Sequence, residues 1–191
     1  MASSGPEYTI AWTSVLSAPY DDNAWAYVDR LQADDASEAY IVSSSYDAND
    51  YSELAVGTIW GFALPDDAVV NGITVEIEGR YAAGTASIAY VSLRKDGAIW
   101  GTAKTPNEAL TSAAAIYTYG GATDTWGITG PTGANINERD FGVAFAVLAT
   151  ANDTDIHFDF CRVTVTYNSA AYLPGIMRHH IIGARGVTIH G

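Results

Sequence analysis

The stretch Thr58–Arg80, TIWGFALPDDAVVNGITVEIEGR, decides how the rest of the chain is read. Its second half alternates strictly: Ile73, Val75 and Ile77 fall on one side, Thr74, Glu76 and Glu78 on the other. Side chains on a strand point alternately to opposite faces, so this is a strand with one dry and one polar face. Pro65-Asp66-Asp67 cannot sit in a central ladder, and Asn71-Gly72 tolerates the positive φ of a turn. The stretch therefore reads as strand, turn, strand, a hairpin on which other strands pack. The polar face of Thr74, Glu76 and Glu78 reads as a solvated outer surface, not as a catalytic carboxylate pair.

Outward from this unit, β signals dominate. Toward the N-terminus lie short strands at Ile10–Leu16 and Glu38–Ser43, an Asp-rich loop with one helical turn over Pro19–Asp35, and an apolar strand over Leu54–Leu64. Toward the C-terminus, Ala86–Lys95 alternates, Lys95-Asp96-Gly97 signals a tight turn, and Ile99-Trp100 resumes a strand. Asn107–Leu110 reads as a helical turn inside a long loop that is rich in Tyr, Trp and Gly. Phe141–Thr150 is apolar on both faces, as a central sandwich strand must be. In Ile156–Tyr167 the apolar phase is even through Ile156, Phe158 and Phe160, then odd through Val163, Val165 and Tyr167; period two cannot do this without a bulge or bend near Cys161-Arg162. The expected fold is all-β, an antiparallel two-sheet sandwich of jelly-roll type with about eight to ten strands. Its expected domains are an N-terminal arm over 1–9, a sandwich over 10–168 and an extended C-terminal arm over 169–191.

Composition narrows the function. Of 191 residues 48% are apolar, with 12 Tyr, 5 Trp and 18 Gly, enough for a large core in a β-rich chain. The net charge of −13 repels phosphate backbones, so nucleic acid is not an expected partner. One cysteine, Cys161, allows no intrachain disulfide. The first ten residues, MASSGPEYTI, lack a basic region and an apolar core, and no run is long enough to span a membrane; cytoplasmic synthesis and no membrane partner are expected.

The charge is unevenly laid out. Residues 1–170 hold 7 Lys+Arg against 22 acids, a net of −15, whereas 171–191 hold 2 Arg and no acid, a net of +2, with three of the four histidines. This acid-free tail is the expected assembly arm, through Ile176, Arg178, His179, His180, Ile181, Ile182, Arg185, Val187 and Ile189. Exposed sandwich edges accept strands from neighbours, so the arm is expected to pack on another subunit or shell.

No catalytic signature is present: no G-x-S-x-G, H-E-x-x-H, Walker loop or dinucleotide fingerprint. Cys161 reads as a buried thiol, too far from His157 to be activated by it. Adjacent His179 and His180 would face opposite sides of a strand and chelate poorly. The clusters Asp21-Asp22-Asn23, Asp47-Asn49-Asp50 and Asn152-Asp153-Asp155 offer hard oxygen ligands to calcium, but none has EF-hand spacing, and turn chemistry is the preferred reading. No enzyme activity and no cofactor are expected. Tyr117, Tyr119 and Trp126, with Trp100, suggest a platform for sugar rings; packing into the core is the competing reading and the preferred one.

Five landmarks occur in order: WGFALP at 60–65, GITVEI at 72–77, YTYGG at 117–121 with Asp124 and Trp126-Gly127, NERDFGV at 137–143, and VTVTY at 163–167. Over Trp25–Tyr167 the chain thereby resembles β-sandwich virion proteins of tailed bacteriophages, most of all capsid decoration (cement) proteins. The resemblance implies a jelly-roll or related sandwich, frequent homotrimers, a partner such as the major capsid protein, a place in the virion and no catalysis. The tail lies outside the resembling region. The competing function is a receptor- or carbohydrate-binding module, on a phage tail fibre or baseplate or free.

Overall fold

The computed structural model describes residues 1–20, 23–42 and 46–169, and these build two antiparallel sheets face to face. The first sheet holds β1 (Ala2–Tyr8), β3 (Ala39–Val42), β5 (Val69–Ala83), β9 (Ala115–Gly120) and β11 (Asp155–Asn168). The second holds β2 (Ala11–Val15), β4 (Leu54–Thr58), β6 (Ala86–Lys95), β7 (Ala98–Ile99), β8 (Glu108–Ala109) and β10 (Gly142–Ala149). Between the sheets lies one core in which Ile73, Val75, Ile77, Phe145, Phe158 and Val163 are fully buried. The all-β, jelly-roll-like two-sheet sandwich expected from the alternation is what the chain forms.

The alternation in β5 sets its faces as read, with Thr74, Glu76 and Glu78 half-buried on the outer side. The hairpin reading is wrong. β4 pairs with β2 and β10 in the second sheet, whereas β5 pairs with β11 and β9 in the first. The ladder of β4 stops at Thr58 because Ile59 and Gly61 take left-handed backbone (φ 62° and 73°), which no extended strand accommodates. The chain then crosses between sheets, burying Trp60, Phe62 and Leu64 on the way. Asn137 stands in for a missing strand partner there: its amide accepts from Leu64 N at 2.9 Å and donates to Leu64 O at 2.8 Å. Asn71-Gly72 is not a turn but lies within β5. Glycine is needed at 72 because a Cβ would sit 2.2 Å from the Gly121 carbonyl oxygen.

Other expectations divide similarly. The β6–β7 hairpin forms, turning through Asp96 and Gly97 at positive φ. β10 is central in its sheet and nearly all buried. The helical turn in the Asp-rich loop is a 3-10 turn at Val28–Leu31, while Glu108–Ala109 is a short strand on β6 rather than a helical turn. Residues 2–8 are not a loose arm: they form edge strand β1 on β11 from Ala2↔Tyr167 to Tyr8↔Arg162. An edge strand with little buried side-chain surface shows no alternation, so nothing in its sequence announced it. The bulge in β11 lies between Phe158 and Cys161, where Asp159 and Phe160 together oppose Glu78. The assembly-arm residues Ile176 to Ile189 lie outside the described residues.

Candidate functional site

The bulge organises the outer face of the first sheet. On its free edge β11 pairs with β3 over Asp155–Phe158 and with β1 over Arg162–Tyr167, so neither strand covers Asp159-Phe160. That gap is filled by the loop from Tyr27 to Glu38, which meets β11 through a bridge between Gln32 and Phe160. Buried Leu31 anchors the loop in the core. Two groups of side chains result.

The first is an aromatic ridge. Arg30 lies 4.1 Å over the Tyr27 ring, Tyr27 lies 5.6 Å from Tyr40, and Tyr40 lies 5.7 Å from His157. Tyr40 and His157 are cross-strand neighbours on β3 and β11. Tyr27 holds a left-handed backbone (φ 53°) at the head of the 3-10 turn and is 53% exposed. A non-glycine residue in this conformation is strained, and here it delivers a phenol ring to the surface. Polar groups flank the ridge. Arg80 holds Glu38 through two bonds of 3.0 Å, and His157 sits between carboxylates, Nδ1 2.8 Å from Glu38 and Nε2 2.9 Å from Asp155. Fixed guanidinium, imidazole and carboxylate groups beside exposed aromatic carbon suit a ligand with an apolar face and hydroxyl edges.

The second is a carboxylate cluster. Asp34 from the loop, Glu78 from β5 and Asp159 from the bulge bring carboxylate oxygens within 4.8 Å of one another. Ala36 N donates to Asp159 Oδ2 at 3.2 Å. Burial, then the charges of Asp159 and Asp34, hold the Glu78 carboxyl above its usual value, against an opposing pull from Arg162. Burial likewise raises Asp159, partly offset by the Ala36 and Asp35 amides. Glu76 is a different case, paired with Arg162 at 3.0 Å. The polar face of β5 is thus half-covered, with Glu76 charge-paired, and not freely solvated.

The aromatics singled out in sequence are not a platform. Tyr117, Tyr119 and Trp126 are buried, at 6%, 5% and 1% exposure. Trp126 Nε1 donates to Ile73 O at 2.8 Å and Tyr119 Oη to Glu108 at 2.9 Å; burial and that carboxylate push the Tyr119 phenol far up. Their ring faces are spent on the core, so stacking a ligand there would require opening it. Trp100 is half-buried against Phe141. Cys161 is a buried thiol facing the core, with its pKa raised by burial. Two of the acidic loops show turn chemistry: Asp50 accepts from Asp47 N, Asp47 from Asp153 N, and Asn152 from Ala48 N. Asp21, Asp22, His179, His180 and His190 lie outside the described residues. Sequence reading missed Tyr27, Tyr40, Asp34 and Asp159 as site residues. The one available signal was the phase change in β11, since bulges gather beside functional sites and re-aim side chains.

No protein-family model matches the chain, and no curated protein matches it. Solved structures resemble it distantly. A CBM4 structure is 17% identical over 70% of this chain and 72% of its own, with a TM-score of 0.38. SGBP-B from a xyloglucan utilization locus in Bacteroides uniformis is 13% identical over 82% of this chain and 45% of its own, TM-score 0.41. CBM35 from Paenibacillus barcinonensis is 11% identical over 89% of this chain and all of its own, TM-score 0.34. At these scores none carries an argument about what this chain binds.

Proposed function

We propose that the sandwich is a non-catalytic recognition module that binds carbohydrate on the outer face of its β3–β11 edge. The observation that carries this is the ridge Arg30–Tyr27–Tyr40–His157 with Tyr27 exposed, hemmed by Glu38, Arg80 and Asp155. A pyranose ring has one apolar face of C–H groups, which packs on aromatic carbon, and hydroxyl rims that suit fixed charged donors and acceptors. Each of those polar groups is already held by a neighbour, so little ordering is left for the ligand to drive.

The test is a glycan array followed by calorimetry on the hits. Tyr27→Ala and Tyr40→Ala should each abolish or severely weaken binding while leaving the melting profile nearly unchanged. Undiminished binding by both variants, or no bound glycan at all, would sink the reading.

A second setting is favoured by one observation, the opposite charge of body and tail. With the resemblance to virion proteins, it supports a module carried on a phage particle and docked there through residues 171–191. Capsid decoration and a trimeric state belong to that setting.

A further inference from the structure

The cluster of Asp34, Glu78 and Asp159 combines convergence of three carboxylates with the lack of an ion-pair partner among the described residues. None of the three carboxylates joins an ion pair with any described lysine, arginine or histidine. Asp159 is only 9% exposed, and its Oδ1 is fully buried with no hydrogen-bond partner. An unmatched buried carboxylate oxygen is costly, and a folded protein retains one where something meets it. The comparison within the molecule is direct. Asp96, Glu138 and Asp140 also converge, but there Lys95 bridges Glu138 at 2.6 Å and Asp96 at 3.3 Å, supplying the cation internally.

The geometry points to a calcium site at the β11 bulge, with Asp34, Glu78 and Asp159 as its carboxylate ligands. Hard oxygen donors select a hard divalent ion. Three oxygens within 4.8 Å of one another share a point no more than about 2.8 Å from each, a bound that admits the ~2.3–2.6 Å of calcium–oxygen bonds, and calcium accepts irregular protein-carboxylate geometry where magnesium keeps its waters and demands a near-ideal octahedron. The ligands also come from mechanically different places. Glu78 is on the central strand β5, Asp159 is turned outward by the bulge, and Asp34 arrives on the loop. A bound ion therefore ties the Tyr27–Glu38 loop to the sheet. Ala36, at a left-handed φ of 63° with its amide on Asp159, holds the loop in that position. This site stands on its own geometry and does not depend on carbohydrate binding.

The experiment compares thermal melts in EDTA, in about 1 mM calcium and in about 1 mM magnesium, a concentration at or above the dissociation constants of weak extracellular-type sites. The full chain should melt several degrees higher in calcium than in EDTA, with magnesium much less effective. Calorimetry with calcium alone should give a single site that Asp159→Asn or Glu78→Gln weakens at least ~tenfold. Glu138→Gln should leave it unchanged. Neither neutralised variant should melt below the wild type in EDTA, since each removes repulsion; this separates loss of the ion from loss of the fold. Identical wild-type melts in EDTA and calcium, calcium binding that survives both Asp159→Asn and Glu78→Gln, or an equal response to magnesium would overturn the assignment.

Discussion

Trp126 shows why the densest aromatic loop of the sequence is not its binding surface. Its indole is 1% exposed, donates to Ile73 O and packs against Gly120, where a Cβ would lie 2.1 Å from the Ile73 carbonyl and 2.6 Å from Nε1. Gly120 also sits at φ 80°, so backbone and space both demand glycine. Trp126→Ala should therefore destabilise the fold by about 3–5 kcal/mol in a urea titration, the range for an emptied aromatic core site. Tyr27→Ala should change stability by no more than about 1 kcal/mol, because only the surface contacts of its ring with Arg30 and Tyr40 are lost. Comparable losses in the two variants would place Tyr27 in the framework instead. Lys104 and Asp124 supply a titration with the opposite sign to the calcium cluster. Lys104 lies 2.7 Å from Asp124 and 4.5 Å over the Trp126 ring, and its ammonium, with the Trp126 amide, holds the Asp124 carboxyl below its usual 3.8. A carboxyl depressed by folding contributes stability above its unfolded value that is lost as pH falls through its folded one. The stability difference between wild type and Asp124→Asn should thus be present at neutral pH, amount to about 1 kcal/mol or less for so exposed a pair, and fade below pH 3.8. A difference that grows on acidification would contradict it.

Strand faces were legible and strand partners were not, for a physical reason. A period of two reports which side of a sheet is dry, so the faces of β5, the two-sided burial of β10 and the phase change of β11 could all be read directly. Nothing in that period says which strand lies alongside, and β4 and β5, adjacent in sequence, proved to be in different sheets. The site was hidden in the same way. Tyr27, Tyr40 and the β11 residues His157 and Asp159 come from three segments, which meet because β3 pairs with β11 and the Tyr27–Glu38 loop fills the gap that β3 and β1 leave on one edge of β11. β1 closes the other half of that edge. Tyr8 packs edge-on at 6.0 Å to Phe160, and Arg162 reaches toward its hydroxyl. Removing residues 1–8 should expose the Arg162–Tyr167 ladder, lower the melting temperature and promote self-association, because an unpaired edge recruits another strand. Sedimentation velocity of the truncated and full chains checks this; the same association state and melting curve for both would show that β1 is dispensable after all.

Both sheets are completed between Ala2 and Asn168, with every described ladder formed inside that span. The acidic body and the acid-free tail can therefore be separated experimentally. Truncation after Ser169 removes the net +2 segment and leaves a body of net −15 with every described ladder intact. Self-repulsion at that charge is spread over a large surface and weakened by physiological salt, whose screening length is about 8 Å. The truncated chain should accordingly melt cooperatively and close to the full-length temperature, and should keep the carbohydrate and calcium affinities assigned to the β3–β11 edge. What it should lose, if the module rides on a virion, is attachment. Particles reconstituted with full-length protein would carry it, and particles offered the truncated form would not. These readouts fail independently. Binding without attachment in the truncated chain supports recognition on the sandwich and docking through the tail. Attachment that survives truncation would move the docking surface onto the sandwich, where its acidic charge would require a basic partner face.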